Sequence, residues 1–265
     1  MARAQSVLVL DLNEPNDMKA IIFAVLLLPL SGLALAAETI LLANFNNKPL
    51  NQPIGTGGAA VGEPDDISSL IEAIVRAAPG GGRELELVKE PSFGTAAIRF
   101  QFLDLEEVTE GQLLVRMTLR LGSVEDFSSL SLLLRERFNA AQSFLNFDLF
   151  NNGDSQVRRP GFPALRFNNT VNLSAINRIE VLYDLDERLF SVCLNGSVLA
   201  TDLDPGIQTE RGIGSLRLSL PAAGDTLAWI DEVEVQKGTF TGGGGGTGDR
   251  VFADRFEPQG ASCPF

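Results

Sequence analysis

Histidine is absent from the chain. That removes Ser-His-Asp and Cys-His nucleophile systems and every His-bearing metal site. Cysteine is nearly absent too, and Cys193 with Cys263 allow at most one intramolecular disulfide. Amphipathic aromatics are as scarce, with one Trp and one Tyr against 17 Phe. A lectin that stacks sugars on several exposed Trp or Tyr rings cannot be built from that inventory. Both rings are assigned to the core, Tyr183 from the apolar face of its strand and Trp229 from a closing strand. A sugar site would then rest on loop Asn, Asp and Arg. Positive charge is also in deficit, 21 Lys+Arg against 34 Asp+Glu. The resulting net charge of −13 disfavours nucleic acid and anionic membranes as partners.

Long apolar runs are confined to residues 18–37, MKAIIFAVLLLPLSGLALAA. Lys19, the run from Ala20 to Leu28 and the small Ala34-Leu35-Ala36 follow the order of a signal peptide. Pro29, Ser31 and Gly32 interrupt the run and no stop-transfer flank follows, so the mature chain is expected to carry no integral membrane span. Residues 1–17 do not belong to such a signal and read as an extension ahead of a true start at Met18. The expected location is outside the cell or on its surface, with a mature chain beginning at Ala37 or Glu38.

What is present is period-2 alternation, the mark of half-buried strands. It is cleanest from Gln112 to Leu121, where Leu113, Val115, Met117, Leu119 and Leu121 point one way. Ser68 to Ala78 suits a strand through Ile71, Ala73 and Val75, although Leu70, Glu72 and Ala73 also suit a short helix. Between Ile179 and Leu203 the pattern predicts a three-strand meander. Asn195-Gly196 there supplies the two positive-φ residues of a type I′ hairpin turn. A two-residue loop sets Leu194 against Ser197, Cys193 against Val198 and Val192 against Leu199. In the last strand Ala228 and Ile230 share one phase and Val233 and Val235 the other, with a β-bulge at Asp231-Glu232 absorbing the slip. A dozen or so short strands separated by turns predict an all-β, antiparallel two-sheet sandwich over residues 38–237. A Gly-rich linker, 238–248, and a tail, 249–265, follow it. Beyond Lys237 the Gly-rich composition offers too little apolar area to order the chain. A chain cut there is expected to melt unchanged, unless Cys263 reaches Cys193 and closes a disulfide in an oxidising compartment.

Three stretches, TILLANF from Thr39, LFSVCLNGSVLATDL from Leu189 and GSLRLSLPAAGDTLAWIDEVEVQ from Gly214, resemble a concanavalin A-like lectin/glucanase jelly roll of the laminin-G-like kind found in secreted bacterial proteins. The resemblance spans Thr39 to Gln236 and implies a sugar-binding, adhesive or glycosidic family. Residues 249–257, DRVFADRFE, are similar to the DxIFADGFE-type C-terminus of secreted gammaproteobacterial proteins, with Arg255 where glycine is usual. That second resemblance implies bacterial export.

Jelly-roll glucanases set their carboxylates on one strand as E-x-D-x-x-E. The nearest stretch, Trp229 to Glu234, has Trp229 in the nucleophile position, so hydrolysis by that route is rejected. Asp148, Asn151, Asn152 and Asp154 offer side-chain oxygens suited to calcium as a cofactor, although Asn-Asn-Gly-Asp is also ordinary turn chemistry. Arg158-Arg159 could meet an acidic ligand from a loop. The resulting reading is a secreted, non-catalytic binding or cell-envelope module whose partner is a polysaccharide or cell-surface glycan. The alternatives are a histidine-free carbohydrate-active hydrolase or lyase, and a structural surface or matrix protein.

Overall fold

Fifteen strands among the described residues carry the alternation. In chain order they are β1 (Glu38–Ala43), β2 (Asp66–Ile67), β3 (Glu72–Ala77), β4 (Arg83–Lys89), β5 (Ala96–Gln101), β6 (Gln112–Leu121), β7 (Ser129–Arg135) and β8 (Ser143–Phe150). There follow β9 (Ser155–Arg158), β10 (Leu165–Phe167), β11 (Ile176–Asp184), β12 (Leu189–Leu194), β13 (Ser197–Leu203), β14 (Ser215–Leu220) and β15 (Thr226–Gly238). The computed structural model describes residues 37–240 apart from 92–93, 106, 138–142, 174, 207–211 and 223, together with Cys263. The expectations for residues 1–36 and for the linker and tail between 241 and 262 fall outside the described residues.

The strands form two antiparallel sheets, an all-β sandwich. The larger runs β13-β12-β11-β6-β15-β4-β3, with β1 also on β15; the smaller runs β10-β9-β8-β7-β14-β5-β2. No α-helix occurs among the described residues, and none of their helical segments is long and apolar enough to cross a membrane. Leu113, Val115, Met117 and Leu119 of β6 share one core with Leu132 and Leu134 of β7 and Leu216 and Leu218 of β14. Burying each such side chain contributes about 1.5 to 3 kcal/mol. Ala73 and Val75 are buried in β3, so the strand reading of that stretch holds.

β15 is the pivot of the larger sheet. Its register against β6 slips between Ile230 and Glu232, the expected bulge. The slip switches the inward phase, so Ala228, Ile230, Val233 and Val235 are all buried. It also coincides with a change of neighbour. On its other edge β15 pairs with β4 from Thr226 to Ile230 and with β1 from Val233 to Lys237.

The β12–β13 hairpin turns at Asn195 (φ 54°) and Gly196 (φ 77°), as the type I′ reading requires. Leu194 pairs with Ser197 and Cys193 with Val198. Val192 then pairs with Ala200 rather than Leu199, because β13 is an edge strand with register shifts on both sides of Val192. Bulges are commonest at such edges. Tyr183 is core as expected, stacked on Phe190 at 5.8 Å and edge-on to Phe144 at 6.2 Å. Phe190→Ala should lower the unfolding free energy by about 3 to 5 kcal/mol. A denaturant midpoint unmoved by that change would mean the hairpin faces are reversed.

The ordered chain continues past Lys237. β15 runs on to Gly238, the Phe240 N–H donates to Gln112 Oε1 at 2.7 Å, and Cys263 is bonded to Cys193 with Cα atoms 6.2 Å apart. A chain cut after Lys237 therefore loses a strand end and a cross-link of sequence separation 70. Closing a loop of that order removes denatured-state entropy. Cys263→Ser should accordingly cost about 2 to 5 kcal/mol, and dithiothreitol should reproduce the loss in the wild type alone. Urea midpoints identical for wild type and variant would contradict the cross-link.

Candidate functional site

The outward residues of β6, β11, β15 and β4 form a charged lattice on the larger sheet. Period-2 geometry puts them there, because their neighbours fill the core. Register sets Glu180 opposite Arg116 and Arg116 opposite Glu234, and in the next row Arg178 and Glu232 both face Thr118. One row further, Arg120 faces Trp229 and Trp229 faces Glu86.

Trp229 is thus on the outer face and not in the core, which corrects the assignment made from the sequence. The signal was available, since Ala228 and Ile230 pointing inward require Trp229 to point out. Its indole N–H donates to Glu86 Oε1 at 3.2 Å, and the Arg120 guanidinium lies 4.1 Å from the ring centre, a cation–π contact. Arg120 also forks onto Glu84, with contacts of 2.6 and 3.3 Å. Arg76 binds the other oxygen of Glu86 at 2.7 Å. Arg116 reaches Glu234 and Gln236, each at 3.3 Å. By contrast, Glu180, Asp231 and Glu232 make no side-chain hydrogen bond or ion pair among the described residues.

Those unpaired carboxylates are electrostatically unusual. Burial raises the pKa of Asp231. Burial, then the charges of Glu234 and Asp231, raises Glu232. Burial raises Glu180 against the opposing pull of Arg116 and Arg178, and raises Glu84 in spite of Arg120. The face therefore combines an indole, guanidinium donors and carboxylates poised to hold a proton above the usual range.

The residues singled out for calcium do not share a task. Asp148 lies on the outer face of β8, where Arg158 grips it at 2.6 and 2.8 Å while Ser131 and Gln156 bond it at 2.6 and 2.7 Å. Asn152 and Asp154 bond each other, Asp154 also takes the Asn169 N–H at 3.0 Å, and the Asn151 N–H goes to the Ser128 carbonyl. No group of three or more Asp, Glu, Cys or His arranged to hold a metal occurs among the described residues. Arg159 stacks on Phe162 at 4.5 Å and donates to the Asp204 carbonyl. Cys193 sits on the outer face of the larger sheet, opposite Glu180, with Cys263 buried against it.

No family model and no curated protein matches the sequence. Solved structures do match the fold. A conserved carbohydrate esterase from the Shiga toxin-encoding bacteriophage phi24B aligns with 77% of this chain and 100% of its own, at 11% identity and a TM-score of 0.54. The cellulose-induced protein Cip1 aligns over 74% of this chain and 96% of its own, at 12% identity and a TM-score of 0.50. This chain is a concanavalin-like jelly-roll sandwich. It spans 16% of the length of a sialidase that it also matches, at 14% identity over 61% of this chain and a TM-score of 0.46. Identities this low concern the sandwich and not its activity.

The raised carboxylates give the sandwich a pH signature. A carboxyl group whose folded pKa is raised adds stability below its unfolded pKa and loses it as pH climbs through the folded value. Glu63 and Asp184 are held low against burial, by Lys48 and Gly57 and by Gln112, Glu187 and Asp186 respectively, so they act only at more acidic pH. The melting temperature should therefore rise when pH is lowered from about 8 to about 5, just above the ordinary carboxylate range of about 4. Glu232→Gln should raise the value at the upper pH and shrink the difference. Calorimetric scans showing the same slope in variant and wild type would contradict the assignment.

Proposed function

We propose that this is an exported carbohydrate-binding module of the cell envelope, and that the outer face of the larger sheet is its binding surface. The observation that carries the reading is Trp229. The single indole of the chain faces outward from a strand, framed by Arg120, Glu86 and Glu84. An apolar ring face among charged donors and acceptors is what a sugar needs, with one side for C–H stacking and hydroxyl partners around it. Export is supported by the residue order from Met18 to Ala37 and by the DRVFADRFE tail. The laminin-G-like variety of the fold is part of the same proposal, resting on the three stretches that resemble it.

Because Trp229 is the sole tryptophan, intrinsic fluorescence reports directly on the site. A glycan array, run with and without calcium, should identify a retained sugar, and titrating that sugar should shift the emission of Trp229. Trp229→Ala should weaken the retained sugar about tenfold, since such an aromatic contact contributes up to about 1.5 kcal/mol beyond burial. Retention of the same glycan at unchanged affinity by the variant would place the site elsewhere.

A second reading has its own support. Asp231 and Glu232 are adjacent, unpaired and both raised by burial, the environment of a histidine-free acid/base pair in a hydrolase or lyase. Polymer cleavage by the wild type that is lost in both Asp231→Asn and Glu232→Gln would decide for catalysis.

A further inference from the structure

The outer face of the smaller sheet carries guanidinium groups that the reading above does not use. Arg217 of β14 stands directly opposite Arg99 of β5. Arg135 of β7 lies one diagonal step from Arg217, opposite Ser215. Like charges facing each other across an antiparallel pair repel. Carboxylates to separate them are plentiful in a chain with 34 Asp+Glu, yet among the described residues neither Arg99 nor Arg217 forms an ion pair with one. Arg99 and Arg217 make no side-chain hydrogen bond or ion pair among the described residues, and the Nε of each is buried without a partner. Among the described residues the Arg135 side chain is bonded to a neutral group, Ser143 Oγ at 3.0 Å. Burial, then the charge of Arg217, pushes its guanidinium pKa down. Asp66 stands opposite Arg99 on β2 but is exposed and forms no bridge to it.

A hollow of about 300 Å³ adjoins this group, lined in part by Thr95, Ser129, Ser131, Gln156 and Ser219. Ser219 is the next outward residue after Arg217 on β14, and Ser131 stands opposite it. Asp148 in the same hollow is already neutralised by Arg158. One strip of the sheet thus passes from unsatisfied guanidiniums to hydroxyl and amide groups. Guanidinium forks match carboxylate and sulfate oxygens, and short polar side chains match sugar hydroxyls.

We propose that this strip binds an anionic polysaccharide, with uronate carboxylates or sulfate esters held among Arg99, Arg217 and Arg135 and sugar hydroxyls against Ser131, Ser219 and Gln156. A lipid headgroup would have no use for the hydroxyl-lined hollow beside the charges. The strip lies on the opposite sheet from Trp229, so it is independent of the site proposed there.

Affinity electrophoresis of the intact chain through gels containing polygalacturonate, dextran sulfate or neutral dextran tests the proposal, with phosphatidylglycerol vesicles in a parallel sedimentation assay. Retardation is expected with polygalacturonate, dextran sulfate or both, fading as salt rises, and not with neutral dextran. Polygalacturonate alone would assign uronate, and dextran sulfate alone a sulfate ester. Arg217→Gln and Arg99→Gln should each weaken retardation at least tenfold, at a melting temperature no lower than that of the wild type, because each removes one member of a repelling pair. Trp229→Ala should leave retardation intact. If Arg217→Gln does not fold, Arg99→Gln and the salt response of the wild type decide. Retardation by neither polyanion, equal retardation of the Arg99 variant, indifference to salt, or preference for the vesicles would each overturn the proposal.

Discussion

Parity governs this molecule. A strand buries every second residue, and a slip of one residue would turn each buried side chain outward. β15 meets that constraint with a single extra residue between Ile230 and Glu232. The same slip lets one strand bridge two partial neighbours, β4 and then β1, without losing its inward row. It also presents Trp229, Asp231, Glu232 and Glu234 on the outer side in close succession. The architecture of the larger sheet and the chemistry of its surface therefore descend from one local irregularity.

The two outer faces differ in kind. On the larger sheet, carboxylates outnumber their guanidinium partners, and burial presses several of them toward the protonated form. On the smaller sheet, arginines stand beside arginines. An acidic chain that separates its charges in this way spends some stability on each face, since like charges at close range oppose folding. Such local conflict is expected where a surface serves binding and not the core.

Most of the fold was legible because alternation is a direct consequence of strand geometry. The β6 row, the Asn195-Gly196 turn and the β15 bulge could all be read from residue order. The register slip that gives Val192 the partner Ala200 could not, because an edge strand lacks a second neighbour to hold its phase. The site was harder to read. Trp229 was misassigned by treating a large aromatic in a closing strand as core, although the parity of Ala228 and Ile230 already pointed it outward. The carboxylate and arginine groupings arise between strands distant in sequence, such as Glu84 with Arg120 and Arg99 with Arg217. A single sequence carries no direct trace of those meetings.

The bond between Cys193 and Cys263 also changes how the chain would carry tension. A pull on the C-terminal end enters the sandwich through the sulfurs at β12 and does not travel back along the backbone through β15. Everything between the two cysteines, including β13, β14 and β15, lies inside a covalent ring and is spared the load. Were this end tethered to a surface and the sandwich dragged by flow, the strand bearing Trp229 would stay slack while β12, flanked by β11 and β13, took the strain.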